Sequence, residues 1–562
     1  MRGRWLAASL VMLVLGAVGR AAPRVLFSND AVNLIHAPPA GVEGASVPAR
    51  LQAAIAEAGG ADIHLLQPGN GWVPWWRSRQ YPAKEHYRWF QTVSAREPDP
   101  IGQYMRDGGD LVADFVAASR AAGMSPYVSL RLNDYHGAEA WDVLRAFGRG
   151  ELRGANVPLG LGAMASQSRV LLERPEWQLK PDPREYVALS SWTEKLAYAA
   201  HSSTRFALRT ARIWDWARPE VPAYKLGFIR ELCGYDLDGL ELDFMRWSAY
   251  FRLEEVTVEA RRAIMLAFIK EVRAALDQRT RRDGGRRSLG VRIPSRLSGH
   301  APLGIDLPAW AEAGVDWANL SCHYISEQQT DLAAMHRLVP ALPLYLELTF
   351  ASGGRRTERR ALLDGTEEQA GYRLMTTAQF TTAAHLAYRR GAAGISLFNF
   401  AYYRNLGPAP AAPPFALLAK LKDAAWVARQ PQHYFLSLSG NPPSQPSEFA
   451  RQRRLAAGKT STFALDLAAP EGGWREPGRL RLELSDPWGG RRVTVRFNGR
   501  ELEPVDDVSE PYADPLATPA SEAVLRAWRV PRDALREAGN TVEVVLQAGV
   551  AAEIGFLDLA VR

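Results

Sequence analysis

The chain has 562 residues, of which 47% are hydrophobic and 23% are charged. These proportions are typical of globular proteins and argue against long disordered stretches, and the length suits a large barrel with a smaller second domain. The formal net charge is +7, but the arginines are interleaved with Asp and Glu, which argues against a nucleic-acid partner.

The first segment has the pattern of a secretory signal peptide. Arg2 and Arg4 precede an apolar run over residues 5–18, and small residues follow. A positive start, a short apolar run and a small-residue cleavage site are the three parts of such a signal. We therefore expect residues 1–22 to be removed and the mature protein to be exported to the periplasm or beyond, with no membrane span. An uncleaved anchor is the alternative, although the apolar run is short for a span.

From residue 24 onward, short β-rich runs alternate with longer helical stretches. Eight such alternations predict an α/β fold, a (β/α)8 TIM barrel over residues 23–430, and a doubly wound open sheet is the alternative. The predicted strands cover residues 25–29, 63–67, 127–133, 239–243, 289–293, 317–323, 344–349 and 394–399.

Three segments depart from this alternation of strands and helices. A long insertion, at about residues 137–222, follows the third strand, and such insertions on this face of a barrel shape a substrate cleft or form a separate subdomain. Residues 431–450 are rich in turn-forming residues and are interpreted as a linker. Residues 451–562 alternate with period two and predict an antiparallel, jelly-roll-like β-sandwich. Whether this sandwich binds a ligand or packs on the barrel stays open.

Two carboxylates lie in the fourth predicted strand. If the leucines between them point towards the helices, Glu241 and Asp243 share the interior face of the barrel. Charges inside a barrel are tolerated chiefly at its carboxyl-end mouth, where they do chemistry. The alternative is a structural pair that interior arginines such as Arg131 and Arg292 neutralise.

Polar and aromatic side chains follow nearly every predicted strand. The carboxyl ends of parallel strands meet at one face of a barrel, so these side chains predict a ring that hydrogen-bonds a polar ligand. Trp75 is predicted to lie in the wall of this ring, and a packed lid is the alternative. The candidate binding residues are Asn29, Asp30, Asn133, Asp134, His136, Arg246, Arg292, His323, Asn399, Tyr402 and Trp75.

The segment before and within the fourth strand resembles a known family. Residues 216–221 read WARPEV and residues 235–243 read YDLDGLELD. The pattern is similar to that of the glycosyl-hydrolase-like 10 barrels, which carry Pro-Glu-Val, a helix and Tyr-Asp-x-Asp-Gly-x-x-x-Asp. The acidic positions also resemble those of the chitinase-like family 18, but Met245 stands where that family has its acid Glu.

The resemblance implies a secreted glycoside hydrolase that acts on a glycan. Asp243 is the expected nucleophile or base, Glu347 near the end of the seventh strand is the expected acid, and Glu241 tunes the pair. The alternative for Glu347 is a buried structural carboxylate paired to an arginine. One alternative is a glycan-binding barrel without catalysis. Another is a polysaccharide lyase that uses His136 or Tyr135 as its base.

Cofactor chemistry has no motif in this sequence. The histidines are dispersed, the two cysteines Cys233 and Cys322 are far apart, and no Gly-rich phosphate loop follows a strand. We therefore expect no metal and no cofactor. Arg246, together with the interior arginines, predicts that the carbohydrate carries an anionic group. The alternative is that these arginines balance the barrel's own carboxylates.

Overall fold

The computed structural model describes residues 24–94, 97–134, 136, 138, 167–200, 202–360, 366–405, 410–438 and 448–562. Its largest part is a closed barrel of eight parallel strands, which confirms the predicted (β/α)8 fold. The predicted signal peptide lies outside the described residues. The barrel strands are β1 (Arg24–Asp30), β2 (Ile63–Gln67), β3 (Ser125–Arg131), β4 (Gly239–Asp243), β5 (Ser288–Pro294), β6 (Trp317–Ser321), β7 (Leu344–Thr349) and β8 (Gly394–Phe398).

Helices cover the outside of the barrel with their apolar faces turned inward. The longest, Val258–Asp277, begins at Thr257, whose side chain accepts a hydrogen bond from the backbone N–H of Ala260. Other α-helices are Asn33–His36, Val47–Glu57, Ala83–Ser94, Pro100–Arg106, Leu111–Ala121, Val170–Glu173, Arg184–Val187, Trp192–Ala200, Ser202–Ala211, Glu220–Leu232, His300–Leu303, Leu307–Glu312, Leu332–Leu338, Thr377–Arg389, Leu417–Leu421, Ala424–Ala428 and Glu448–Gln452.

The insertion between β3 and β4 contributes several of these helices. Its residues 139–166 lie outside the described part of the chain. A second excursion, which the sequence pattern did not predict, follows β7 as an antiparallel hairpin of Ala351–Arg360 and Thr366–Leu374. Both excursions leave the barrel at the carboxyl ends of its strands, the face on which barrel enzymes carry their sites.

Large aromatic rings close the amino-terminal end of the barrel interior. Tyr127, Trp317 and Tyr345 form a buried cluster there with aliphatic side chains of β1 and β2. Gly290 makes room for one of these rings, because a Cβ at this position would lie 2.1 Å from Cζ2 of Trp317. A ligand therefore reaches the interior from the carboxyl end.

Replacing Gly290 by Ala is expected to lower the free energy of unfolding by about 1–3 kcal/mol, because the added methyl group overpacks the ring layer. Urea unfolding followed by tryptophan fluorescence measures the loss. Gly44→Ala is the matched control, since nothing lies within 4 Å of its Cβ position. A loss at Gly290 no larger than at Gly44 would show that the ring layer can rearrange.

The C-terminal region is an antiparallel sandwich of two sheets. One sheet has the order β9–β15–β11–β13 and the other has the order β10–β14–β12, with short strands at their edges. These strands are β9 (Gln432–Ser437), β10 (Thr460–Leu465), β11 (Gly478–Leu484), β12 (Arg492–Phe497), β13 (Leu525–Val530), β14 (Asn540–Ala548) and β15 (Ala552–Val561).

The linker boundary predicted at residue 431 was wrong. Residues 432–437 form β9, which pairs along its whole length with β15, so the sandwich begins before the expected linker. All six residues of β9 are buried. A strand that is covered on both faces lacks the alternation of apolar and polar residues by which a half-buried strand is recognised.

The sandwich packs against the barrel. The Gln328 amide donates to the backbone carbonyl of His433 (3.1 Å) and accepts from the backbone N–H of Phe435 (2.9 Å). Phe435 and Phe556 belong to the same buried cluster as the barrel's outer core. Both cysteines are buried free thiols. In the described part of the chain, no helix is long and apolar enough to cross a membrane.

Candidate functional site

The interior carboxylates share one buried arginine. Arg292 on β5 donates to both oxygens of Glu347 on β7 (2.7 and 2.6 Å) and to both oxygens of Asp243 on β4 (3.0 Å each). Ser321 donates a further bond to Glu347 at 2.6 Å. Glu347 is 1% exposed and Asp243 is 3% exposed. The oxygens of both carboxylates therefore accept their hydrogen bonds from side chains inside the barrel.

Glu241 belongs to the same buried group of side chains and precedes Asp243 by two residues on β4. It accepts hydrogen bonds from Ser129 (2.6 Å) and from the Asn319 amide (3.2 Å). Burial raises the pKa of Glu241 to about 8, so the group is protonated near neutral pH. We call the buried set of Glu241, Asp243, Arg292, Asn319 and Glu347 the floor network.

The contacts of the floor network favour the structural alternative for these carboxylates. A carboxylate bound in a bidentate fork by a guanidinium has both oxygens engaged, so Glu347 is poorly placed to give a proton to a leaving group. The catalytic roles assigned to Asp243, Glu347 and Glu241 stay untested predictions. Arg292, assigned to substrate binding, is fully occupied by its carboxylates.

A second set of charged groups lies at the strand ends above the floor. Arg131 at the end of β3 contacts Asp30 at 2.6 Å and Asp134 at 2.8 Å. Asn399, directly after β8, donates to Asp30 at 2.8 Å. Burial alone would raise the pKa of Asp134, but His136 and Arg131 hold it well below the usual range. Both aspartates are therefore ionised at neutral pH.

His136 is the titratable group that reaches the surface here. Its Nδ1 lies 2.5 Å from Asp134 Oδ1, and its Nε2 contacts a guanidinium nitrogen of Arg246. Its side chain is 27% exposed. Burial lowers the pKa of His136 to about 4, which outweighs the opposite effect of Asp134. A neutral imidazole therefore donates from Nδ1 to Asp134 and accepts at Nε2 from Arg246.

Arg246 links His136 to the loop that follows β6. It donates to the Tyr324 hydroxyl at 2.6 Å and contacts His323 Nε2 at 3.2 Å. Among the residues that the structure describes, no carboxylate lies within ion-pair distance of Arg246. Its buried Nε has no hydrogen-bond partner there either. We call the set of Asp30, Arg131, Asp134, His136, Arg246, His323 and Tyr324 the mouth cluster.

Strained backbone surrounds the mouth cluster. Trp72, Trp247, His323 and Asn399 have left-handed φ values of 64°, 50°, 69° and 51°. They lie in the loops that follow β2, β4, β6 and β8. A left-handed residue with a side chain costs about 1–3 kcal/mol and persists where the surroundings fix it, which is frequent at functional sites. The loops at this mouth are therefore held in specific conformations.

Several predicted binding residues do not reach this mouth. Trp75 was placed wrongly: it is 1% exposed and its indole N–H donates to the Tyr87 hydroxyl at 2.8 Å, as in the packed alternative. Asn29 points out of the barrel and accepts from Asn33 at 2.7 Å. Asn133 is also buried and donates to the Ala249 carbonyl at 2.7 Å. Their polarity satisfies loop backbone and neighbouring side chains instead.

The remaining candidates do gather at the mouth. Asp30, Asp134, His136, Arg246 and His323 belong to the mouth cluster, and Asn399 is bonded to it. Tyr402 stacks on Tyr324 with 6.2 Å between ring centroids. Tyr135 lies outside the described residues.

Sequence reasoning gave no role to Lys225, which lies beside this region. The helix Glu220–Leu232 buries Val221, Lys225, Phe228 and Leu232 on one face. Their spacing of four, three and four residues already puts the lysine on the apolar stripe. This helical spacing is the sequence signal that indicates a buried Lys225.

Metal ligation has no candidate in the described part of the chain, where no group of three or more His, Cys, Asp or Glu side chains is arranged to hold an ion. The mouth cluster instead consists of contacts among two carboxylates, two guanidiniums, two imidazoles and one tyrosine hydroxyl.

No family model and no curated protein matches this chain. Solved structures do resemble it. An alpha-L-fucosidase GH29 from Bacteroides thetaiotaomicron is 10% identical over 93% of this chain and 93% of that chain, with a TM-score of 0.30. A maltogenic alpha-amylase from Thermotoga neapolitana is 11% identical over 94% and 98%, with a TM-score of 0.34. An alpha-galactosidase from Thermus thermophilus is 14% identical over 75% and 65%, with a TM-score of 0.32.

These similar structures are glycoside hydrolases, but at such identities and TM-scores the likeness carries no argument about the reaction. The predicted membership of the glycosyl-hydrolase-like 10 family stays a prediction.

Proposed function

We propose that this chain hydrolyses glycosidic bonds of a carbohydrate at the mouth cluster. The observation that carries the proposal is the imidazole of His136, fixed by Asp134 and left neutral at the open end of a barrel. A neutral imidazole with one nitrogen bound to a carboxylate is a competent general base. The surrounding polar side chains suit the hydroxyl groups of a sugar.

In the proposed reaction, Arg246 first moves off Nε2 of His136. Nε2 then takes a proton from water while the water oxygen attacks the anomeric carbon. The bond from that carbon to the leaving oxygen breaks at the same time. Tyr324 gives its hydroxyl proton to the leaving oxygen, because its own oxygen already accepts a bond from Arg246. Direct attack by water predicts inversion at the anomeric carbon.

We further propose that the substrate carries a carboxylate or sulfate that binds Arg246. Arg246 differs from Arg131, the other arginine of the mouth cluster, because its guanidinium forms hydrogen bonds to uncharged groups. These groups are the side chains of His136, His323 and Tyr324. An anion that draws Arg246 towards itself also uncovers Nε2 of His136. Substrate binding and activation of the base would then be coupled.

Replacing Arg246 by Ala is expected to raise KM for uronate-containing or sulfated glycans by roughly 10- to 150-fold, the value of a lost hydrogen bond to a charged group. Steady-state kinetics on matched anionic and neutral oligosaccharides measure the difference.

Arg246→Lys is the matched variant, since it keeps the charge but not the bidentate fork, and it should recover part of the affinity. An equal rise in KM for neutral and anionic substrates would contradict the anionic assignment. Circular dichroism would show whether a variant has lost its fold.

Elimination is a second candidate, favoured by the same contact of Arg246 with a base and a tyrosine. An arginine can neutralise a uronate carboxylate while a base removes the neighbouring proton. A panel of neutral, uronate and sulfated glycans tests both reactions. Hydrolysis gives reducing ends without ultraviolet absorbance, and elimination gives both. Binding without turnover of any bound glycan would instead favour a non-catalytic barrel.

Export and family membership belong to the same proposal. The apolar run after Arg4 supports a cleaved signal peptide, and the segment from residue 216 to residue 243 supports the glycosyl-hydrolase-like 10 assignment. Sequencing the N-terminus of the mature protein from its producing cells would test the first. A start at residue 1 would contradict cleavage.

A further inference from the structure

The floor network is hydrogen-bonded to two loops that carry residues of the mouth cluster. One loop follows β4 and contains Arg246, and the other follows β6 and contains His323 and Tyr324. In each loop, the side chain of the last strand residue accepts a hydrogen bond from the backbone N–H two residues later. The floor network is therefore connected to the mouth cluster through two turns of the same kind.

The turn after β4 is closed by Asp243. Its Oδ1 accepts the backbone N–H of Met245 at 2.8 Å, and Arg246 is the next residue. The same oxygen accepts a hydrogen bond from Arg292 at 3.0 Å. Side chains of Asp and Ser form turns of this kind because their oxygens take the place of a backbone acceptor. Arg292 thus orients the carboxylate that fixes the start of the Arg246 loop.

The turn after β6 is closed by Ser321, which is buried. Its hydroxyl oxygen accepts the backbone N–H of His323 at 3.0 Å, and its O–H donates to Glu347 at 2.6 Å. Glu347 is bound in turn by Arg292. Because a hydroxyl group has one proton to donate, the bond to Glu347 leaves the oxygen lone pairs for the loop. A single guanidinium therefore orients the acceptors of both turns.

Both loops hold a residue in a strained conformation. Trp247 and His323 have left-handed φ values of 50° and 69°. Such a conformation is unfavourable for a residue with a side chain and persists where surrounding contacts fix it. After the bond at His323, the Thr349 hydroxyl donates to the Tyr324 carbonyl at 2.8 Å. Without the Ser321 hydroxyl, the loop would stay attached at Tyr324 but could relax at His323.

We propose that Ser321 is a positioning residue for the reaction at the mouth cluster. It transmits the geometry of the floor network to the loop of His323 and Tyr324, and both side chains contact Arg246, at 3.2 and 2.6 Å. The inference rests on the proposed function where it concerns the rate, whereas the placement of the loop can be measured without a substrate. It gives the buried carboxylates a task that does not require contact with the substrate.

Ser321→Ala tests this role, and Ser129→Ala is its matched control. Ser129 is also buried and donates to Glu241 at 2.6 Å, so its replacement removes an equally short bond to a floor carboxylate without touching either turn. We expect Ser321→Ala to lower kcat by roughly 10- to 100-fold, the effect of a small misplacement of reacting groups, with a smaller change in KM. Ser129→Ala should leave kcat nearly unchanged.

Hydrogen–deuterium exchange of the intact protein measures the loop independently of activity. Peptides that cover residues 321–327 should exchange roughly 2- to 10-fold faster in Ser321→Ala, the effect of losing one net hydrogen bond. The same peptides should exchange at the wild-type rate in Ser129→Ala. Ser321→Thr keeps the hydroxyl group and should restore at least part of both the slow exchange and kcat.

Three outcomes would overturn the role of Ser321. They are unchanged exchange over residues 321–327 in Ser321→Ala, an equal increase in Ser129→Ala, and faster exchange in Ser321→Ala with kcat unchanged or reduced only as much as in Ser129→Ala. A wild-type protein that hydrolyses no glycan would contradict the proposed function instead, and the exchange of residues 321–327 would still decide whether Ser321 places this loop.

Discussion

Replacing Arg292 by Met is expected to lower the free energy of unfolding by about 3–5 kcal/mol, because two buried carboxylates would lose their shared partner. Asp243 and Glu347 are almost completely buried, and neither can turn to solvent within the barrel. Without Arg292, the two buried carboxylates have no cation to offset their mutual repulsion. Denaturant unfolding followed by tryptophan fluorescence measures the effect.

The exposed pair of Arg500 and Asp533 provides a matched control. Their side chains are 55% and 77% exposed, and Arg500→Met should change stability by no more than about 1 kcal/mol. Adding Glu347→Gln to the Arg292 variant should recover part of the loss, since one uncompensated charge is removed. A loss at Arg292 as small as that at Arg500 would show that the floor network is not needed for folding.

Replacing His136 by Ala is expected to lower kcat/KM by about 10²- to 10⁴-fold without loss of the fold, because it removes the proposed general base. The wild-type rate should fall as the pH drops through the lowered pKa of His136, near 4. Below that value the imidazole is protonated and cannot accept a proton from water. A pH–rate profile of kcat/KM for the free enzyme measures both effects.

His36→Ala is the control for this experiment, since His36 is an exposed histidine at the end of the short helix Asn33–His36. It should leave kcat/KM unchanged. Asp134→Asn should lower the rate and shift the profile, because the carboxylate that orients the imidazole is lost. Full activity of the His136 variant, or a loss matched by that of the His36 variant, would remove His136 from the mechanism.

The floor network and the mouth cluster lie at different depths in the barrel and differ in how accessible their charged groups are. The floor network binds its charges to one another and is closed from below by the rings of Tyr127, Trp317 and Tyr345. The mouth cluster keeps an imidazole partly open and a guanidinium without an ion pair among the described residues. Electrostatic stabilisation of a reaction requires charges that can still meet the substrate. The mouth cluster satisfies that requirement better than the floor.

The barrel could be predicted from local sequence patterns. All eight of its strands overlap the predicted runs, because alternation within a strand and polar residues after it are local properties. The same alternation placed Glu241 and Asp243 inside the barrel. It also placed Asp30, His136 and His323 at strand ends that share one face.

The pairing of the charges, in contrast, depends on the folded arrangement of the strands and loops. Asp243 and Arg292 are register neighbours on β4 and β5, but the reach of Arg292 to Glu347 on β7 depends on the curvature of the closed barrel. Trp75 became a core residue and Lys225 the lining of a cavity, because loops distant in the sequence pack over them. Local sequence fixes the spacing of side chains along an element, whereas the pairing of charges is set by distances between elements that no local pattern contains.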